Sequence, residues 1–135
     1  MSKVKSAAVL LALSLLLPGF SPEPVTAQKS VAIGKLPFSA ARKAGNTLYI
    51  SGQIARTVDG ADVKESVAAE TRQVMDNLKR ILEDNGYSFD DVVRATVFLT
   101  DIKDYHEMNK EYASYFENAF PARACVGGGE LVFGF

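Results

Sequence analysis

The chain has one cysteine and one histidine in its 135 residues. A lone thiol, Cys125, cannot close an intrachain disulfide or build a multi-cysteine zinc site. His106 sits among Asp104, Tyr105 and Glu107 and reads as a solvated helix residue. With so few nitrogen and sulfur ligands, no metal site is expected. A basic excess is also missing, because 15 Lys+Arg stand against 16 Asp+Glu, a formal net charge of -1. No nucleic-acid partner is expected from that balance. Gly127-Gly128-Gly129 is not a phosphate loop, since no Lys-Ser/Thr pair follows at P-loop spacing. There is no internal repeat and no low-complexity linker, and the length suits one domain.

The apolar run over residues 7–17 is too short for a comfortable membrane span. Lys3 and Lys5 precede it, Pro18-Gly19 follows, and a polar stretch ends at Val25-Thr26-Ala27. That order reads as a secretory signal with a cleavage site after Ala27. An uncleaved N-terminal anchor is the alternative. The division expected is a signal over residues 1–27 and a domain over residues 28–135. The domain is expected to be exported, periplasmic or secreted, with no stable membrane span after cleavage.

Beyond a lead-in to about Gly34, residues 37–43 read as an edge strand and residues 46–53 as a stronger one. Leu48, Ile50 and Gly52 alternate there with Tyr49 and Ser51, the period of a sheet. Asp59-Gly60 marks a turn. A first helix carries Val67, Thr71, Val74, Met75, Leu78, Ile81 and Leu82 on one face. Asp62 and Glu65 have capping-box-like spacing, with Ser66 as the other cap, and Asn85-Gly86 is the stop. Residues 92–100 form a third strand, rich in β-branched and aromatic residues. Thr100 or Asp101 then caps a second helix whose face is Tyr105, Met108, Tyr112, Tyr115 and Phe116 and which Pro121 ends. A fourth strand opens at Arg123. Helices alternating with strands predict an α/β or α+β layer with helices on one face of the sheet.

Arg123 lies in Pro121-Ala122-Arg123-Ala124-Cys125-Val126, at the start of an apolar strand. Arginine cannot shed its charge, and its planar fork matches a carboxylate. On a buried strand it needs an acidic partner or an anionic ligand. Upstream lie Lys43-Ala44-Gly45-Asn46-Thr47-Leu48-Tyr49-Ile50-Ser51-Gly52-Gln53-Ile54, then Asp90-Asp91-Val92-Val93-Arg94-Ala95-Thr96-Val97-Phe98-Leu99-Thr100-Asp101, then Asn109, Tyr112, Tyr115-Phe116 and Phe120. In this order and spacing the blocks resemble the Rid family (RidA/YjgF-like), the 2-imino/enamine-acid deaminases, over about residues 31–133. The resemblance implies an α+β, chorismate-mutase-like mixed sheet with two helices on one face, assembled as a homotrimer.

A 2-imino acid carries a carboxylate beside a C=N bond. Water adds to that carbon, and ammonia and a 2-oxo acid leave. No electron sink is needed, so no cofactor is expected. The chemistry calls for a carboxylate clamp, a placed water and a hydrogen-bond donor near the departing nitrogen. The resemblance makes Arg123 the clamp and sets the Gly52 backbone in the pocket lining. Ser51 could bond substrate or water, or be an outward strand serine. Asn109 could orient a pocket loop, or be an exposed helix residue. Cys125 should share a strand face with Arg123 and reads as pocket wall or core.

Two departures from the family pattern bear on activity. Phe38 stands where active members commonly carry tyrosine, so that hydroxyl is lost. The resemblance also implies a final strand bearing a water-positioning glutamate, set between the strands of residues 46–53 and 92–100. It lies beyond Phe135, and Glu130 falls before it. A C-terminally truncated domain, with unpaired edges or a rearranged sheet, is therefore expected. Turnover is expected to be weak or absent. The rival reading is a non-catalytic domain that binds small carboxylates, and a weaker one is nuclease or translation-inhibitor activity.

Overall fold

The computed structural model describes residues 37–135. The expected signal and its cleavage site after Ala27 lie outside the described residues. Strands β1 (Ala41–Ala44) and β2 (Thr47–Ile50) form an antiparallel hairpin, with Ala41 opposite Ile50 and Ala44 opposite Thr47. Gly45 opens the two-residue loop at φ 57°, a conformation glycine enters without a Cβ clash. Strand β2 is shorter than its sequence pattern suggests. It ends at Ile50, and Ser51 then turns inward while Gly52 is exposed.

Helix α1 (Val67–Asp84) starts at Ser66, whose Oγ accepts from the Ala69 N–H at 3.1 Å. The Asp62–Glu65 spacing therefore does not mark the cap. At the other end the Gly86 N–H donates to Glu83 O and the Tyr87 N–H to Leu82 O, with Gly86 at φ 77°. These two bonds satisfy carbonyls the helix would otherwise leave open, as Asn85-Gly86 predicts. Helix α2 (Tyr105–Ala113) follows a 3-10 turn, Ile102–Asp104, in which Asp101 Oδ1 accepts from the Lys103 N–H. It stops well before Pro121. The N–H groups of Ser114, Tyr115 and Phe116 each bond the carbonyl three residues back, so the chain tightens out of the helix. Tyr115 and Phe116 still reach the core from that tightened turn.

Strands β3 (Arg94–Leu99) and β4 (Ala122–Gly127) pair in parallel, with Arg94 beside Ala122 and Leu99 beside Gly127. A parallel pair needs a crossover, and α2 lies within it. Ala95, Val97 and Leu99 on β3 and Arg123, Cys125 and Gly127 on β4 form the half-buried face. Both helices cover that face. Met75 of α1 and Met108 and Tyr112 of α2 are the buried centre, with Val97, Leu99 and Cys125 packed against them. Gly127 is a close approach: a Cβ there would sit 2.7 Å from Ile102 Cβ, with backbone at 3.1 Å. The two helices are also tied outside the core, where Arg72 meets the Glu111 carboxylate with both Nε and Nη2, at 2.9 and 3.0 Å.

The α+β class and the two helices on one face agree with the sequence pattern. The sheet, however, is divided. Among the described residues β1 pairs only with β2, and β3 only with β4. Neither β2 nor β3 has a second strand partner among the described residues. Residues Val132–Gly134 make a 3-10 turn. Lys64 Nζ holds it, donating to Phe133 O at 2.8 Å and lying 4.2 Å from the Phe135 ring centre.

Periodicity gives Asn77 no role, yet it is a buried polar residue, 6% exposed. Its Nδ2 donates to the carbonyls of Ile54 and Arg56, at 3.2 and 2.8 Å, and its Oδ1 accepts from Gln73 Nε2. It thereby ties the segment after β2 to α1. Asn77→Ala should cost about 1–3 kcal/mol, because two carbonyls lose their donor in a dry place. Urea unfolding of the two proteins measures this, and an unchanged midpoint would show that water replaces the amide.

Candidate functional site: an arginine without a counter-ion

Strand alternation turns Arg123 inward, toward α2. Its Nη2 donates to Asn109 Oδ1 at 2.5 Å and lies 3.4 Å from the Tyr105 hydroxyl. Nη1 approaches the Met108 sulfur at 3.9 Å. The guanidinium carbon stands 4.7 Å from the Tyr112 ring centre and 5.7 Å from that of Tyr105. Every one of these neighbours is uncharged. The ion pairs found among the described residues join Arg56, Lys64, Arg72 and Lys103 to acids, and none includes Arg123. A half-buried cation loses water and here recovers only dipoles and ring faces. It is therefore set to take an anion, and a carboxylate matches its fork.

Of the residues singled out from the sequence, Arg123, Asn109 and Cys125 come together. Cys125 shares the inward face of β4 with Arg123 and packs on the core, as strand spacing requires. Asn109 is neither a loop anchor nor a free surface residue; its side-chain carbonyl holds the arginine. Tyr105, Met108 and Tyr112 are the partners that sequence reasoning placed in the core alone. Their signal was present, since positions 105, 108, 109 and 112 share one helical face.

Ser51 and Gly52 follow β2 and Phe38 precedes β1, and no hydrogen bond joins any of them to Arg123. The Ser51 Oγ donates to Ser39 O at 2.6 Å, so the hydroxyl is engaged across the hairpin. Gly52 is open, with nothing within 4 Å of where a Cβ would be. Phe38 is 58% exposed. Two surface clefts among the described residues do not include Arg123. One is lined by Ser88, Asp90, Glu111 and Tyr115, the other by Thr100, Glu130 and Phe135. Tyr112 is buried and its hydroxyl has no partner. Burial raises its pKa, with the nearby Arg123 charge opposing in part, so the phenol stays neutral. No group of His, Cys, Asp and Glu among the described residues could hold a metal ion.

Two helices laid over strands, with an arginine between the layers that pairs with no described acid, define a small α+β domain. The architecture matches a crystal structure of a Rid-family protein from Yersinia pestis, with a TM-score of 0.76 at 34% identity, covering 82% of this chain and 91% of that one. It matches yeast Mmf1 with a TM-score of 0.73 at 37% identity, covering 84% and 90%. The chain belongs to the YjgF/RidA (Rid) family, whose model, described as Endoribonuclease L-PSP, matches residues 29–135. The fold is thus the chorismate-mutase-like one of that family. Curated relatives include an archaeal RutC family protein of Pyrococcus horikoshii, 48% identical over 93 residues, 67% of this chain and 72% of that protein. The bovine 2-iminobutanoate/2-iminopropanoate deaminase is 43% identical over 100 residues, 73% of this chain and 72% of the enzyme. The mitochondrial protein MMF1 of Saccharomyces cerevisiae is 43% identical over 94 residues, and the match spans only 65% of its length.

These relatives correct one expectation. The chain was expected to be exported, periplasmic or secreted, but its relatives are archaeal RutC proteins and a yeast protein named mitochondrial, and they give no support to an exported placement. The physical reason for the error is that a short apolar run behind two lysines is a weak sign, shared by N-terminal segments of other destinations. Among the described residues no helix is long and apolar enough to cross a membrane.

The Ser51 bond makes a direct prediction. Ser51→Ala should destabilise the protein by about 0.5–1.5 kcal/mol, the net contribution of one such hydrogen bond. A thermal melt checks it, and an unshifted midpoint would show that the Ser39 carbonyl finds water instead.

Proposed function

We propose that the chain hydrolyses 2-imino and 2-enamino acids to 2-oxo acids and ammonia, with Arg123 binding the substrate carboxylate. The observation that carries this reading is the half-buried Arg123, held by uncharged groups and free of any acid. The relatives named 2-iminobutanoate/2-iminopropanoate deaminase, in cattle and in goat, support the reaction in general. Nothing in the comparisons favours a domain that only binds. The arginine fixes the carboxylate, which sets the adjacent C=N carbon at a constant distance from the strand. Such placement lowers the entropic cost of water attack. An enamine first takes a proton on its β-carbon to become the imine, whose C=N carbon is electrophilic without a cofactor. Phe38 offers no hydroxyl, so acid–base assistance from that position is missing and the rate should be modest.

The working form in this proposal is a homotrimer. The outward face of the sheets carries Phe98 at 59%, Val126 at 50% and Tyr49 at 63% exposure, apolar surface that a second copy would cover. Neither of the two clefts found among the described residues includes Arg123, and in this reading a neighbouring copy completes the pocket wall.

An assay that generates 2-aminoacrylate in place and follows its decay tests the chemistry. The protein should speed the decay, and Arg123→Lys should weaken pyruvate binding by about 1.5–3 kcal/mol, the scale of a charged hydrogen bond. Decay no faster than in buffer would sink the deaminase reading, and unchanged affinity in a folded Arg123→Lys would remove Arg123 from the site. Light scattering at micromolar concentration should report three copies per particle, and a monodisperse monomer would refute the assembly.

A further inference from the structure

The arginine is surrounded by a set of side chains that all come from one helix face and all lack charge. Asn109 supplies the one short hydrogen bond, and Tyr105 and Met108 supply longer contacts. Tyr112 supplies a ring face at 4.7 Å and is itself part of the buried core. A ring against the guanidinium takes up none of its N–H groups, and the Nε–H bonds no described residue, so it is available to a ligand. A carboxylate in the same place would also hold the arginine, but would cancel the charge the ligand needs. Acids are not scarce on α2, for Glu107 and Glu111 both lie on it. Neither is on the face toward Arg123. Glu107 is exposed and Glu111 is taken by Arg72.

We infer that this face of α2 is a neutral cradle in which Tyr112 is a positioning residue, fixing the plane of the Arg123 guanidinium, and Asn109 is the residue that decides whether the site accepts an anion. The inference rests on the functional reading above for the identity of the anion, and on geometry alone for the cradle. Burial keeps the Tyr112 phenol neutral, so it adds no counter-charge. The hydroxyl of Tyr112 has no partner and contributes no bond to the hold. The ring is therefore what acts, and phenylalanine should replace it.

Asn109→Asp gives the sharpest test. It keeps the shape and still holds Arg123, now as an ion pair. If Asn109 served structure alone, the variant would bind as the wild type does. The cradle requires instead that pyruvate affinity, measured by calorimetry on the full chain, fall by roughly a hundred-fold with the melting temperature kept or raised. A second readout needs no ligand. The Arg123 Nε–Hε signal in 15N NMR should show restricted guanidinium rotation in the wild type and in Tyr112→Phe, and faster rotation in Tyr112→Leu. Tyr112→Phe should hold pyruvate within about two-fold, and Tyr112→Leu should lose roughly ten-fold. Wild-type affinity in Asn109→Asp, or wild-type rotation in Tyr112→Leu, would overturn the inference. Should Tyr112→Leu fail to fold, Asn109→Asp decides alone. A wild type that binds no pyruvate would refute the functional reading, and the rotation comparison would then judge the cradle separately.

Discussion

A permanent positive charge half-buried between a strand and a helix constrains everything around it. Arg123 cannot lose its proton, and inside a small domain it cannot be left without partners. The usual remedy, an acid, would make it structurally quiet and chemically inert. Here the hold comes from Asn109, from the hydroxyl and ring of Tyr105, and from the Tyr112 ring. That choice requires α2 to lie flat against β4 in one rotation, since positions 105, 108, 109 and 112 must all face the strand. The packing of Met75 and Met108 with Val97, Leu99 and Cys125 secures this rotation.

The same requirement explains the stiffness of the helical layer. Helix α1 does not touch the arginine through any hydrogen bond, but it sets where α2 can lie. Arg72 grips Glu111 at two points, and the Tyr115 hydroxyl donates to Asp76 at 2.8 Å. The Tyr115 phenol is pushed well above its usual pKa, first by burial and then by the Asp76 bond, so it remains a donor. Asn77 draws the segment of Ile54 and Arg56 to the far side of α1. By contrast, no hydrogen-bonded ladder joins the half-sheet carrying Ser51 and Gly52 to the half carrying Arg123. Arg123 and the side chains that hold it all lie within one half of the described structure.

Much of this could be read along the chain. Seven positions at helical spacing, six of them apolar, placed α1, and Asn85-Gly86 ended it where the structure ends it. The run of β-branched and aromatic residues from 92 to 100 located β3. The block pattern around Arg123 led to the Rid family, which the family match over residues 29–135 establishes. Local signals failed where two readings share one pattern. A helix ending at Ala113 or at Pro121 has the same apolar stripe, because Tyr115 and Phe116 reach the core from a tightened turn as well as from a helix. Lys3, Lys5 and an apolar run do not name a destination. Ser51 could face solvent, ligand or backbone, and only the neighbouring strand settles it as a backbone partner of Ser39.

The sequence by itself determined the elements, the inward direction of Arg123 and Cys125, and the family, because these follow from periodicity and from short-range order along the chain. Tertiary structure alone decided what surrounds the arginine. Tyr105, Met108, Asn109 and Tyr112 are 11 to 18 residues away along the chain, and nothing local distinguishes a tyrosine that fills the core from one that also covers a cation. The absence of an acid beside Arg123 is likewise a property of packing. Glu107 and Glu111 are near in sequence, and the rotation of one helix turns both away from the charge. A helix turns about a hundred degrees per residue, so a shift of one position along α2 would move a different set of side chains toward the arginine. Only the docked helix fixes that rotation, and with it the uncompensated charge on which the proposed chemistry depends.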